Sequence, residues 1–387
     1  MIVPSERLRK LPPYLFAEID RLRKKLVSEG HDVISLGVGD PDQPTPEHII
    51  AACQQALREP RYHRYPLGHG NPTFRRAIAD YYDRYDGVRL DPEEEICVLI
   101  GSKEGIAHLP LALLNPGDIS LVPEPGYPVY HIGTMLAGGT SHFLPLTEKN
   151  RFLPDFSCIP TEVLSRAKLL WLNYPNNPTA VFAPSEYLQE AIAFCRKHNI
   201  VLAYDAAYRE IYYDRRPVSF LSLPGAREVG VEFHSLSKTY NMTGWRVGWV
   251  CGNRHIVKAL ASLKENIDSG TFEALQVAGT VALTGSQDCL ERLRQIYRQR
   301  RDLFAGCLKT IGWSAELPRG TFYYWVKTPS GDAVGTVKGL LEKAHVVATP
   351  GTGFGPSGEG FVRFSLTVPE ERLRLAIKRM EALWKKK

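Results

Sequence analysis

The sequence predicts an α/β fold: a mostly parallel central sheet between layers of helices, with a smaller α+β part. Two apolar runs, 169–173 and 200–204, are long enough for buried strands, and a helical pattern at 184–198 separates them. Residues 95–114 form a third pattern of strand, small-residue turn and helix. Buried strands that alternate with helices indicate a parallel sheet, because parallel strands need a long crossover between them.

Length and composition limit the class of protein. A chain of 387 residues with 44% hydrophobic residues can bury a large core, so we expect one large domain and a smaller lobe. The net charge of +6 does not indicate a nucleic-acid partner, since basic and acidic residues are interleaved apart from the run 385–387. Seven cysteines without metal spacing predict free thiols and no metal site. The chain shows no signal peptide or membrane-spanning run, so we expect a cytoplasmic protein.

The N-terminal half alternates between helical and strand patterns. Periodic apolar residues predict helices at 12–29, 46–58, 73–85 and 106–114, and short apolar runs predict strands at 33–36, 95–100 and 119–122. Gly101 to Gly105 is expected to form a turn between a strand and the last of these helices. Such a turn presents backbone N–H groups and a positive helix end to an anion, although an unliganded connection explains it equally well.

The C-terminal half continues with strands at 229–234 and 246–251, and then becomes helical at 256–283 and 289–311. The patterns then predict strands at 322–326 and 361–366 and helices at 336–344 and 369–385. The glycine-dense segment 351–358 has no helix after it, so we interpret it as a mobile loop rather than a phosphate-binding turn.

Polar residues follow the two buried strands at their carboxyl ends. Asn177 comes after the first strand, and Asp205 and Tyr208 come after the second. Ligands bind at this edge of an open α/β sheet, so the placement itself indicates a site.

A lysine and an arginine lie close together after the strand at 229–234. Lys238 stands between hydroxyl residues, and Arg246 follows eight positions later at the start of another apolar run. An aldehyde with a phosphate arm would fit both cations, because a partly buried lysine becomes nucleophilic and an arginine binds phosphate with two donors. Ser235 and Ser237 could assist with the phosphate. The alternative interpretation of this stretch alone is a solvated basic turn.

Several motifs together carry a resemblance to a known family. The chain resembles the fold-type-I pyridoxal-phosphate aminotransferases at 173–180, 205–208, 235–248 and 361–365. Within that class it is similar to the bacterial LL-diaminopimelate aminotransferases at 11–16, 35–42, 101–105 and 232–246. The resemblance implies a seven-stranded central sheet, with a large cofactor-binding domain at 46–285 and a small domain made of 1–45 and 286–387.

The resemblance also implies pyridoxal 5'-phosphate as cofactor and assigns roles around it. Lys238 would form the Schiff base and then carry the substrate's α-proton, Asp205 would keep the ring nitrogen protonated, and Tyr208 would act with it on the ring's electronics. The residues implied to bind the cofactor are Tyr65, Ser102, Lys103, Tyr127, Asn177, Asp205, Tyr208, Ser235, Ser237, Lys238 and Arg246. Tyr65 would reach from one subunit to the phosphate in the other, which predicts a homodimer with composite active sites.

The implied substrates are amino acids and keto acids, in a step towards lysine. Glutamate and tetrahydrodipicolinate would give LL-2,6-diaminopimelate and 2-oxoglutarate. The residues implied at the substrate are Tyr14, Gly39, Lys103, Tyr127, Asn177 and Arg363. Plant-type members carry a glutamate for the distal ammonium where this chain has Gly68, so Tyr14, Lys103 or the neighbouring subunit's segment 266–272 would have to recognise it.

The sequence leaves other functions open. An aminotransferase for aspartate, alanine or a broad set of amino acids would share the cofactor residues, as would a C–S lyase. A cofactor-bound transcription regulator would need a DNA-reading module, and we expect none, because few residues precede Tyr14. A cofactor-binding protein without activity is disfavoured, since all the polar groups that the chemistry requires are present.

Overall fold

The computed structural model describes residues 3–11, 15–66 and 68–384. Tyr14 and the lysine run 385–387 lie outside the described residues. The helices are α1 Glu6–Arg9, α2 Leu15–Ser28, α3 Glu47–Ala56, α4 Pro72–Asp86, α5 Ser102–Leu113, α6 Val129–Leu136, α7 Thr161–Leu164, α8 Ser185–His198, α9 Ala226–Val229, α10 Leu236–Thr239, α11 Arg254–Glu265, α12 Glu273–Thr284, α13 Asp288–Ile311, α14 Ala333–Ala344 and α15 Glu370–Trp384. The strands are β1 Ile34–Ser35, β2 Ile96–Leu99, β3 Ile119–Glu124, β4 Thr140–Pro145, β5 Ala167–Asn173, β6 Val201–Asp205, β7 Gly230–Ser235, β8 Gly248–Gly252, β9 Tyr323–Lys327, β10 Val346–Val347, β11 Thr349–Pro350 and β12 Phe361–Ser365.

A seven-stranded sheet forms the centre of the fold, as predicted. Its strand order is β2-β8-β7-β6-β5-β3-β4, and β8 runs antiparallel to both of its neighbours while the other pairs are parallel. Both faces are covered: Leu169 and Trp171 of β5 enter a core with α5, α6 and α11, whereas Leu170 and Leu172 enter a core with α3, α4, α8 and α12. Burial on both faces explains the unbroken apolar run of this strand.

A third core lies in the C-terminal part of the chain. The antiparallel sheet β11-β12-β9 packs with α13, α14 and α15 around residues such as Phe304, Phe364 and Leu373. The strand β1 pairs in parallel with β10, with Ile34 opposite Val346, so the N-terminal segment joins this C-terminal core. The domain boundaries at 46–285 stay a prediction.

Four details differ from the sequence prediction. The predicted helix at 256–283 is two helices, because Asp268 accepts a hydrogen bond from the Gly270 N–H and residues 269 and 270 have positive φ. The helix α5 begins at Ser102, so most of the segment 101–105 that was predicted as a connecting turn is helical. The strand predicted from Arg246 begins at Gly248, since Arg246 is left-handed with φ of 56°.

The fourth difference is the glycine-dense segment 351–358, which forms two 3-10 turns against the end of β3. The hydroxyl of Ser357 donates to the Glu124 carboxylate at 2.6 Å, and the Gly126 N–H donates to the Phe354 carbonyl at 2.9 Å. All seven cysteines are free thiols, as expected. Among the described residues, no helix combines the length and apolar character needed to cross a membrane.

Candidate active site

The carboxyl ends of β5, β6 and β7 open into a cavity of about 650 Å³, which is also lined by residues of the C-terminal sheet β11-β12-β9. Its lining includes most of the residues predicted for the site. These are Gly39, Ser102, Lys103, Tyr127, Asn177, Asp205, Tyr208, Ser235, Ser237, Lys238, Arg246 and Arg363. Tyr65 lies outside this cavity and is 91% exposed.

Lys238 lies in the short helix α10, directly after β7, and its side chain enters the cavity. The Nζ atom donates to the Gly39 carbonyl at 2.6 Å. Burial lowers the pKa of Lys238 to about 8, opposed by the negative charge of Asp40 and reinforced by the positive charges of Arg363 and Arg246. The neutral and nucleophilic fraction of this amine near physiological pH is therefore far larger than that of an ordinary lysine, although the protonated form still predominates.

Asp205 is the last residue of β6 and lies at the bottom of the cavity with 4% of its surface exposed. The Tyr130 hydroxyl donates to its Oδ2 at 2.7 Å, and the Ala207 N–H donates to its Oδ1 at 3.2 Å. Burial raises the pKa of Asp205 to about 6, while these two hydrogen bonds act in the opposite direction. A carboxylate held in this way can interact with a protonated ring nitrogen, which would compensate its burial.

Two asparagines connect the ends of β5 and β6. The side-chain amide of Asn173 donates to the Asp205 carbonyl at 2.9 Å, and its oxygen accepts from the Asn177 N–H at 2.8 Å. The Asn177 side chain in turn accepts from Arg363 at 2.7 Å. The sequence motif 173–177 thus fixes the position of Asn177 relative to both charged groups.

Arg246 lies beside the serines that follow β7. Its Nη1 donates to the Thr243 carbonyl at 2.8 Å and to the Ser237 hydroxyl at 3.4 Å, and the Ser235 hydroxyl accepts from the Ser237 N–H at 3.1 Å. Gly101 has a φ of 71° and a Cβ atom there would meet Arg246 Nη2, so a glycine favours this close approach of the backbone to the guanidinium. Arg246 and the two serines form one side of an anion-binding site.

The start of α5 forms the other side of the same anion site. Ser102 and Lys103 line the cavity in the first turn of this helix, and Gly101 at the N-cap provides no side-chain hydrogen bond to the helix. The first N–H groups of a helix and its dipole favour an anion. Together with Arg246 and the two serines, they have the chemistry of a phosphate-binding site.

Arg363 is a buried cation on β12, 3% exposed, with its side chain in the cavity. Besides Asn177, it donates to the Gly37 carbonyl at 2.6 Å, and the rings of Tyr323 and Phe354 flank it at 4.2 and 4.6 Å. Its Nε has no hydrogen-bond partner, and no carboxylate among the described residues pairs with it. A buried guanidinium without an anion is costly, so this group is suited to the carboxylate of a ligand.

Tyr208 and Tyr323 share a hydrogen bond between their hydroxyl groups at 2.9 Å. A Cβ atom at position 39 would collide with the Tyr323 hydroxyl, which explains why Gly39 has no side chain. Burial raises the pKa of Tyr208 well above its ordinary value, so this phenol is a neutral hydrogen-bond donor at the cavity wall.

Sequence reasoning missed several residues of the site. Asn173, Tyr323, Asp20 and Arg23 line the cavity and Tyr130 contacts Asp205, but none of them was predicted as a site residue. Asn173 is the first residue of the motif at 173–180, so that motif could have identified it as a site residue. The others come from helical or strand patterns in which nothing distinguishes a cavity residue from a packing residue.

The fold and this site define a class of protein. The chain belongs to the aminotransferase class I and II family, because the model of that family matches residues 31–380. This family and fold depend on pyridoxal phosphate.

The chain is also similar to individual proteins of this family. The chain is 53% identical to the LL-diaminopimelate aminotransferase of Syntrophobacter fumaroxidans over 98% of this chain and 99% of that protein. It is 54% identical to the LL-diaminopimelate aminotransferase of Desulforudis audaxviator over 98% and 97% of the two chains. Among solved structures, BacF of Bacillus subtilis without ligand has a TM-score of 0.96 and 41% identity over 99% of both chains.

Proposed function

We propose that this protein is a pyridoxal-phosphate-dependent aminotransferase that converts tetrahydrodipicolinate and L-glutamate to LL-2,6-diaminopimelate and 2-oxoglutarate. The observation that carries the proposal is the arrangement of one cavity. A buried lysine whose pKa is about 8 lies there together with a buried carboxylate and two arginines suited to separate anions.

The residues present fit the cofactor at each of its polar ends. Asp205 would pair with the ring nitrogen, Tyr208 and Asn177 would contact the phenolic oxygen, and Tyr127 would lie against the ring. Ser102, Lys103, Ser235, Ser237 and Arg246 would hold the phosphate. Pyridoxal phosphate supplies an aldehyde that binds amines and a ring that accepts electrons from the substrate's α-carbon.

The chain's own groups then perform binding and proton transfer. Lys238 would bind the aldehyde, and its amine, when free, would move a proton at the substrate's α-carbon. The lowered pKa of Lys238 serves this role, because a base works best when its pKa lies near the working pH. Arg363 would hold the α-carboxylate with two donors and so orient the α-hydrogen.

The substrate part of the proposal rests on the relatives. Two curated proteins that share more than half of their residues with this chain over nearly full length carry the name LL-diaminopimelate aminotransferase. This favours diaminopimelate over aspartate or alanine as the amino acid that defines the enzyme.

We also propose a homodimer in which Tyr65 completes the partner's site. The Tyr65 side chain is 91% exposed in a single chain, so it is accessible to a partner subunit, as the proposal requires.

A coupled assay tests the function. The purified protein is incubated with LL-diaminopimelate and 2-oxoglutarate, and glutamate formation is followed, with aspartate and alanine as competing donors. We expect LL-diaminopimelate to give the highest kcat/KM. Turnover of aspartate or alanine without turnover of LL-diaminopimelate would contradict the substrate assignment. If none of the donors is transaminated, the assignment as an aminotransferase is contradicted.

A further inference from the structure

We propose that Asp20 and Arg23, one turn apart on α2, bind the distal ammonium and the distal carboxylate of LL-diaminopimelate. This inference rests on the proposed function, since it names how the same cavity would recognise the far end of that substrate. Both residues line the cavity that contains Lys238 and Arg363.

The charges of the cavity lining support this assignment by elimination. Within the described part of the chain, the carboxylates that line the cavity are Asp20 and Asp205. Asp205 lies at the bottom, where it accepts from Tyr130 and is assigned to the cofactor ring. Asp40 acts on the charge of Lys238 but does not line the cavity. A second ammonium group on the substrate therefore has Asp20 as its remaining carboxylate partner.

The two side chains already form a pair that a zwitterion can enter. Arg23 donates to Asp20 Oδ1 through Nε at 3.0 Å and Nη2 at 2.6 Å. Each side chain is 39% exposed, in contrast to the buried Asp205. An ion pair with this exposure contributes little to stability, so exchanging its internal contacts for contacts with a ligand costs little.

The charged groups at the distal end of LL-diaminopimelate are complementary to the charges of Asp20 and Arg23. The distal carbon of LL-diaminopimelate carries an ammonium and a carboxylate, and Asp20 and Arg23 place opposite charges side by side. When the near end is held at Arg363, inversion of the distal centre exchanges its two charged groups. The ammonium would then face Arg23 and the carboxylate would face Asp20. The pair would therefore favour the LL isomer over the meso isomer bound through the same end.

Two substrate analogues separate the two contacts. L-2-aminopimelate lacks only the distal ammonium, and L-lysine lacks only the distal carboxylate. In Asp20→Asn, the ratio of kcat/KM for LL-diaminopimelate to that for L-2-aminopimelate should fall about tenfold, because one charge-assisted hydrogen bond is lost. In Arg23→Gln, the ratio of LL-diaminopimelate to L-lysine should fall about tenfold for the same reason.

The matched control is Lys24→Gln. Lys24 is also paired with Asp20, at 2.6 Å, but it is 70% exposed and does not line the cavity. Neither ratio should change in this variant. A ratio that stays at the wild-type value in Asp20→Asn, whether or not overall activity falls, would overturn the subsite. A wild-type protein that transaminates other amino acids but not LL-diaminopimelate would overturn the proposed function itself.

Discussion

The guanidinium of Arg363 donates to the amide oxygen of Asn177 at 2.7 Å, and this bond joins the C-terminal sheet to the ligand edge of the central sheet. The two residues lie 186 positions apart in the chain. A substrate carboxylate bound by Arg363 would therefore be held in a fixed position relative to Asp205, because Asn177 is anchored by Asn173 at the end of β5.

Arg363→Lys should lower kcat/KM for every amino-acid substrate by about a hundredfold. Lysine keeps the charge but loses the planar pair of donors that fits a carboxylate. Steady-state kinetics with LL-diaminopimelate and with glutamate would measure the change. Arg372→Lys, on the surface beside Asp32, is the control. Wild-type KM values in Arg363→Lys would contradict the carboxylate-binding role.

Asp205→Asn should make the cofactor-free protein more stable at pH 7.5, by up to about 3 kcal/mol. The pKa of Asp205 is raised from 3.8 to about 6, so the folded chain holds the proton more tightly than the unfolded chain. The wild type therefore loses stability as the pH rises from about 4 to 6, and the buried charge remains costly above that. Urea unfolding at pH 4 and pH 7.5 tests this. A variant that is no more stable than wild type at pH 7.5 would contradict it.

Tyr130→Phe should raise the pKa of Asp205 further, because the Tyr130 hydroxyl bond is the first of the two contacts that lower it. The acid limb of the kcat/KM profile should move to higher pH, while the ring remains stacked on Trp171. Tyr174→Phe is a matched control, since the hydroxyl of this buried tyrosine donates to the Phe152 carbonyl. An unchanged pH profile in Tyr130→Phe would show that this bond does not control Asp205.

Two inactive variants should restore activity when they are combined. Tyr65→Ala and Lys238→Ala each damage every site of a homodimer, but a mixed dimer would contain one site with both residues intact. Random exchange at equal amounts should recover about a quarter of the wild-type activity. The measurement is turnover after the subunits are unfolded and refolded together. Activity no higher than that of the separate variants would contradict a composite site.

Parts of the fold and of the site could be predicted from the sequence because their signal is local. The runs 169–173 and 200–204 are apolar because both sheet faces are buried, and the residues that follow them must lie at the ligand edge. Lys238, Arg246 and Arg363 were found through motifs that carry them. The cavity lining confirms that these three residues are brought together, whereas their chemical roles stay predictions.

Other parts could not be predicted, because they depend on contacts between distant segments. Tyr130 meets Asp205 across 75 positions, and Tyr323 meets Tyr208 across 115. The break at 266–272 depends on the positive φ of residues 269 and 270 and on the hydrogen bond that the Gly270 N–H donates to the Asp268 side chain. The role of Tyr14, the subunit contact of Tyr65 and the cytoplasmic location stay predictions.

The central claim is that Lys238 is the residue that binds the cofactor. Its most direct test is to reduce the purified protein with borohydride in the presence of pyridoxal phosphate, digest it and locate the added mass by mass spectrometry. We predict that the modification lies on Lys238, and that its rate of formation rises with pH through about 8, because the lowered pKa frees the amine there. Modification of a different lysine, or none in a folded protein, would contradict the account.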